Sequence, residues 1–189
     1  PVISSAASDV YKRQLFPNGS QLEDSIEAAA DVGIRFTATR GSMSIGESKG
    51  GLPPDQLCEV EDSILKDCLR VIDAHHNASD HAMIQIALAP CSPFSVSTGL
   101  MADTATMAAD KGVGLHTHLA ENSEDIDYSL AQFGQRPGDY AEALGWTGEH
   151  VWHAHCVQLN DDEINLFART QTGVAHCPCS NMRLASGIA

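Results

Sequence analysis

The sequence is poor in basic residues. It has 11 Lys and Arg against 25 Asp and Glu, a formal net charge of −14. A chain this acidic repels phosphate backbones, which excludes a nucleic-acid duplex as partner and favours a small neutral or weakly charged ligand. No apolar run approaches the roughly 20 residues that cross a bilayer, so no membrane partner is expected. The opening residues PVISSAASDVYKRQ lack the apolar segment of a secretory signal. The cysteines Cys58, Cys68, Cys91, Cys156, Cys177 and Cys179 form no CxxC pair, which excludes a zinc ribbon or thioredoxin-like site. Several lie in apolar runs and read as buried free thiols of a cytoplasmic protein. There is no GxSxG elbow and no Walker A loop, so serine-hydrolase and P-loop chemistry are unsupported.

What is present is a regular alternation. The 189 residues, 43% hydrophobic and 19% charged, suffice for one globular domain with a core. Ser20 and Glu23 have capping-box spacing ahead of the amphipathic run LEDSIEAAADVG, which predicts a helix ending at Gly33. IRFTATR (34–40) reads as a strand, and the glycine-rich residues 41–53 read as a loop. Apolar residues from Leu57 to Val71 recur at helical spacing and predict a helix from Pro54 to about Ala78. Strands follow at 82–90, 113–121, 150–157 and 173–178, separated by helical segments at 95–112, 123–133, 137–144 and 160–170. Repeated βα units imply a parallel sheet with right-handed crossovers. No GxGxxG follows the first strand, which weakens a dinucleotide-binding sheet. Polar residues instead fall at several successive strand ends: Arg40, Cys91, His118 with Glu121, His155 and His176. That distribution favours an α/β fold of the TIM (β/α)8 barrel type.

The sharpest local pattern is His116-Thr117-His118-Leu119-Ala120-Glu121. On a strand His116 and His118 share a face, and Glu121 lies just past the strand end. A histidine suits a borderline metal such as zinc, and a nearby carboxylate off the metal can shuttle protons to and from a water. His153-Ala154-His155-Cys156 closes the next strand and sets a second histidine across the mouth. The segment His176-Cys177-Pro178-Cys179-Ser180-Asn181 reads as a substrate wall, since a lone CxC is a weak metal signal.

Read together and in order, HTHLAE, AHCV and HCPCSNMRLASGIA resemble the amidohydrolase superfamily, in its branch of purine, pyrimidine and triazine deaminases. The resemblance covers roughly residues 20 to 189. RFTATRGSMSIGESKGGLPPD, APCSPFSVS and HCPCSNMRLASGIA are similar to its 8-oxoguanine-deaminating members. The resemblance implies one divalent metal, zinc ahead of iron, with His118 as ligand. It implies Glu121 as proton shuttle and His155 as the residue that orients the attacking water and its target. Arg40, Cys91, His176 and Asn181 fall where the family contacts substrate. Related nucleoside deaminases often carry histidine at the position of Cys91, so cysteine points to a smaller free base.

By the same resemblance the five strands correspond to strands three to seven of a partial barrel. The remaining ligands, an HxH and an aspartate, are expected outside the chain. A fragment inactive by itself is therefore expected, and a homo-oligomer at full length. Residues 1–19, where SSAASDVYKRQ resembles translated adapter sequence, are expected to be a non-native or disordered leader. The expected reaction is hydrolytic deamination of a purine base, 8-oxoguanine to urate and ammonia. A triazine amidohydrolase of the same branch and a non-catalytic ligand-binding barrel are the alternatives.

Overall fold

A computed structural model describes residues 21–189. The expectation of a leader over residues 1–19, and the proposed cap Ser20, lie outside those residues. The first helix, α1, spans Leu22–Val32 and ends at Gly33, whose φ of 75° suits glycine. The reciprocal bond of its first turn comes from Asp24, whose carboxylate accepts from Gln21 N–H at 2.8 Å. Glu23 instead pairs with Arg70.

The strands are β1 Phe36–Ser42, β2 Ile84–Pro90, β3 Gly114–Leu119, β4 Val151–His155 and β5 Gly173–Ala175. They form one five-stranded parallel sheet in the order β1-β2-β3-β4-β5, with each strand beside its neighbour in sequence. Between them lie α2 Glu61–His75, α3 Thr98–Lys111, α4 Ser123–Phe133, α5 Pro137–Ala143 and α6 Asp161–Thr170. A short helix, α7, Pro178–Arg183, follows β5. This is the repeated βα arc of a TIM-type barrel, as the alternation predicts. No helix among the described residues is long and apolar enough to cross a membrane.

Strand alternation sorts the residues into two faces. Phe36, Ala38, Ile86, Leu88, Leu115, Leu119 and Val151 are buried in one cluster with Ile64, Cys68 and Val71 of α2 and Leu100 and Met101 of α3. That is the core between sheet and helices. The opposite, inner face carries Gly114, His116, His118, Trp152 and Gly173. Here Trp152 stacks on His116 with ring centroids 5.2 Å apart. Gly114 and Gly173 make room for it: a Cβ at either position would sit 2.7 and 3.0 Å from Trp152 atoms.

Several expected boundaries move, among them the first strand, expected over 34–40 and found at Phe36–Ser42. The helix predicted from Pro54 begins only at Glu61; Asp55–Leu57 is a separate 3-10 turn. Glu59 is drawn across the end of β1, where its N–H donates to Met43 O at 2.8 Å and its carboxylate pairs with Arg40, so the helix cannot run through it. Val60, counted on the apolar stripe, is 71% exposed. The last strand, expected over 173–178, stops at Ala175 because Pro178 starts a helix.

Candidate active site

The site is assembled where β3 and β4 end. His118 is the last inner-face residue of β3, and it is gripped by the loop after β2. Its Nδ1 lies 2.6 Å from Cys91 O, and its backbone N–H donates to the same oxygen at 3.0 Å. A carbonyl oxygen only accepts, so Nδ1 carries the proton and Nε2 is the basic nitrogen. This is the usual way in which a histidine ligand is oriented. Burial pushes the His118 pKa down to about 4, opposed by the Cys91 hydrogen bond, so the ring is neutral at physiological pH.

After Leu119 the chain turns through Ala120, which has a φ of 49° and is buried. The turn releases Glu121 from the strand. Its backbone N–H donates to Asp125 Oδ2 at 2.8 Å, and its Oε1 lies 3.4 Å from His155 Nδ1. That oxygen is buried and has no hydrogen-bond partner among the described residues. Burial raises the carboxyl pKa, His155 opposes the shift, and Asp125 adds to it. A carboxyl whose pKa is raised is suited to taking up and giving back a proton.

His155 reaches the same place by a different device. Alternation along β4 would set it beside His153, which faces the helices and packs on Phe167 with centroids 5.2 Å apart. The backbone is left-handed at His155 (φ 72°) and at Cys156 (φ 53°). This turn brings the His155 ring to 5.3 Å from that of His118. Left-handed φ costs a non-glycine residue of order 1–2 kcal/mol, and such conformations cluster at functional sites. Asn181 Oδ1 holds His155 Nδ1 at 2.7 Å.

The residues expected from the sequence thus separate into two groups. His118, Glu121, His155 and Asn181 come together, with Cys91 beside them. Cys91 acts through its carbonyl; its thiol, 3.7 Å from His118 Nδ1, is pushed up to about 12 by burial and is no thiolate. Arg40 is not brought in. It lies within β1, on the same side as Phe36 and Ala38, and so points to the helices. There its guanidinium is bound by Glu59 (2.7 Å) and Asp67 (2.6 Å). The assignment of Arg40 as a substrate contact is corrected accordingly. His176 is exposed, directly after β5. Asp125 and Trp152 were missed. The Asn122–Asp125 spacing at the start of α4 and the glycines opposite Trp152 were the available signals.

Among the described residues no three His, Cys, Asp or Glu groups converge closely enough to hold a metal ion. His118 presents a ligand nitrogen, Nε2, oriented by the Cys91 carbonyl at its other ring nitrogen. A small cavity adjoins His118, bounded by Pro93, Phe94, Tyr128 and Phe133. A wider groove of about 600 Å3 runs along the loop after β1, bounded by Ser44, Lys49, Asp55 and Glu59. None of His118, Glu121 or His155 lines that groove.

Comparison with known proteins identifies the family. The model of the amidohydrolase family matches residues 7–189. The chain is 46% identical to the 8-oxoguanine deaminase of Pseudomonas aeruginosa over 191 residues, which is 99% of the chain and 42% of that enzyme. It is 37% identical to hydroxydechloroatrazine ethylaminohydrolase of Pseudomonas sp. (strain ADP) over 80% of the chain and 31% of the relative. Among solved structures, atrazine chlorohydrolase from Arthrobacter aurescens TC1 complexed with zinc superposes with a TM-score of 0.83. It is 38% identical, over 89% of this chain and 37% of that one. The chain therefore spans less than half the length of each of these relatives.

Proposed function

Because the chain belongs to the amidohydrolase family, we propose that it serves the metal-dependent hydrolytic deamination of a free purine base. The favoured substrate is 8-oxoguanine, which with water gives urate and ammonia. The observation that carries the reaction class is the meeting of His118, Glu121 and His155 at two adjacent strand ends. The choice of substrate rests on the identity with 8-oxoguanine deaminase across nearly the whole chain.

The residues divide the work by their chemistry. His118 is suited to hold a divalent metal through Nε2, since its other ring nitrogen is committed to the Cys91 carbonyl. Zinc is the favoured ion, as in the Arthrobacter structure. When bound, a divalent metal supplies water acidic enough to be hydroxide near neutral pH. Glu121 carries one proton of the water to a ring nitrogen as the carbon–oxygen bond forms, and then the proton of the new hydroxyl to the amine, which leaves as ammonia as the carbonyl forms. Its buried position keeps the carboxyl basic enough for both transfers. His155, within 3.4 Å of that carboxylate, orients the attacking water.

A second reading is a triazine amidohydrolase using the same groups, favoured by the likeness to the atrazine-processing relatives. One screen separates the two: ammonia or amine release by the full-length protein from 8-oxoguanine, guanine, isocytosine and hydroxyatrazine. Highest kcat/KM on 8-oxoguanine is the expected result, and preference for hydroxyatrazine installs the second reading. Binding without turnover of any of them would leave a ligand-binding barrel.

A further inference from the structure

Asn181 lies in α7, which follows β5 in the chain, and its side chain ends at His155. It is 2% exposed. Both of its backbone groups are fixed: its N–H donates to Cys177 O and its C=O accepts from Ser186 N–H, each at 2.9 Å. Its Oδ1 lies 2.7 Å from His155 Nδ1. Its Nδ2 is buried with no hydrogen-bond partner among the described residues, so no competing bond there draws the amide away from the histidine.

The second neighbour of His155 Nδ1 is also an oxygen, Glu121 Oε1 at 3.4 Å. The amide carbonyl of Asn181, at hydrogen-bonding distance, only accepts, so this nitrogen bears the hydrogen. The His155 ring also stands where strand alternation would not put it, turned by left-handed φ at residues 155 and 156. A ring so displaced needs an anchor, and Asn181 is at hydrogen-bonding distance to provide it.

We propose that Asn181 is a positioning residue. It holds His155 in the Nδ1–H tautomer and keeps the ring at the mouth beside Glu121 and His118. The nitrogen left without a proton is then Nε2. In this tautomer His155 orients the attacking water by accepting a hydrogen bond from it at Nε2, and cannot donate one from there. The proposal rests on the reading of His155 as a residue of the reacting centre, while the tautomer itself can be read without any substrate.

The test uses the full-length protein labelled with 15N-histidine. Long-range 1H–15N correlation spectra distinguish protonated from unprotonated ring nitrogens, and His155→Gln identifies the His155 signals. Nδ1–H with a bare Nε2 is expected in the parent and in Asn181→Asp, which keeps an acceptor oxygen. Asn181→Ala is expected to mix the tautomers and to lower kcat on the accepted substrate about tenfold or more, with a smaller change in KM. Asn181→Asp should recover most of that loss. A parent protein with the proton on Nε2 overturns the proposal, as does a fixed tautomer in Asn181→Ala. Should Asn181→Ala not fold, the parent spectrum still decides. Failure of all substrates in the screen with the expected spectrum would count against the proposed function and leave the Asn181–His155 lock standing.

Discussion

The backbone N–H of Glu121 is bonded to the carboxylate of Asp125, one turn into the helix that follows, at 2.8 Å. Asp125 thus fixes the backbone from which Glu121 hangs, and its charge helps to raise the pKa of the Glu121 carboxyl, behind the larger effect of burial. Asp125→Asn retains an acceptor oxygen and removes the charge. The pKa of Glu121 should fall, and the acid limb of the kcat/KM–pH profile should move to lower pH. A limb that stays in place or moves upward would remove Asp125 from this role.

His118 and Glu121 are expected to fail differently. His118→Ala should lose most bound zinc, measured by metal analysis after gel filtration of the full-length protein. Glu121→Gln should keep zinc and lose turnover by a factor of about 100 or more, the usual contribution of a positioned acid–base group. Loss of zinc in Glu121→Gln would make the carboxylate a ligand.

Acid should destabilise the fold before it affects carboxylates. Burial lowers the pKa of His116 to about 3 and that of His153 to about 4, from 6.5. The unfolded chain therefore binds protons that the folded chain refuses. Stability is fully present above pH 6.5 and is lost as pH falls toward 4, with a slope of up to about 1.4 kcal/mol per pH unit for each histidine. Urea midpoints between pH 7.5 and 4.5, measured with a chelator present, should fall steeply. His153→Gln preserves a donor for the Trp146 carbonyl, which His153 Nε2 meets at 2.9 Å. That variant should flatten the slope, and an unchanged slope would mean that His153 is not a buried neutral group.

Gly114 is required by its neighbour. A methyl group there would approach the Trp152 ring to 2.7 Å and Ala87 to 3.4 Å. Gly114→Ala should cost about 1–3 kcal/mol by overpacking. The melting temperature should drop by roughly 2–10 °C for a chain of this size. Gly114→Ala with Trp152→Phe should recover part of the loss, since the smaller ring vacates the contact. Equal stability of Gly114→Ala and parent would show that the Trp152 ring has other room.

Most of this architecture was legible in the sequence, because strand identity follows from short apolar runs and their order from the repeated βα spacing. His118 and Glu121 were legible because a strand end carries a polar side chain only for a reason. Arg40 was misplaced by a boundary error of two residues. Ending the strand at 40 made Arg40 a rim residue, whereas its parity with Phe36 and Ala38 assigns it to the helix side. His155 was placed at the mouth without the means: no alternation rule anticipates left-handed φ at His155 and Cys156. The service that Cys91 performs comes from its carbonyl, and a backbone oxygen leaves no trace in residue type.

The strand order also bears on how the molecule comes into being. Among the described residues every pairing joins a strand to the next one synthesised, so none of these pairings waits for a distant partner. Such a sheet can lengthen in step with the emerging chain, each crossover closing only a local loop. The reacting groups do not mature in the same gradual way. His118 is set once the loop after β2 and strand β3 are paired, but His155 acquires its anchor only when α7, beyond β5, has docked. A nascent chain released before α7 would hold a nearly complete arc of sheet and an untethered His155, so competence at this site is a late event in biogenesis.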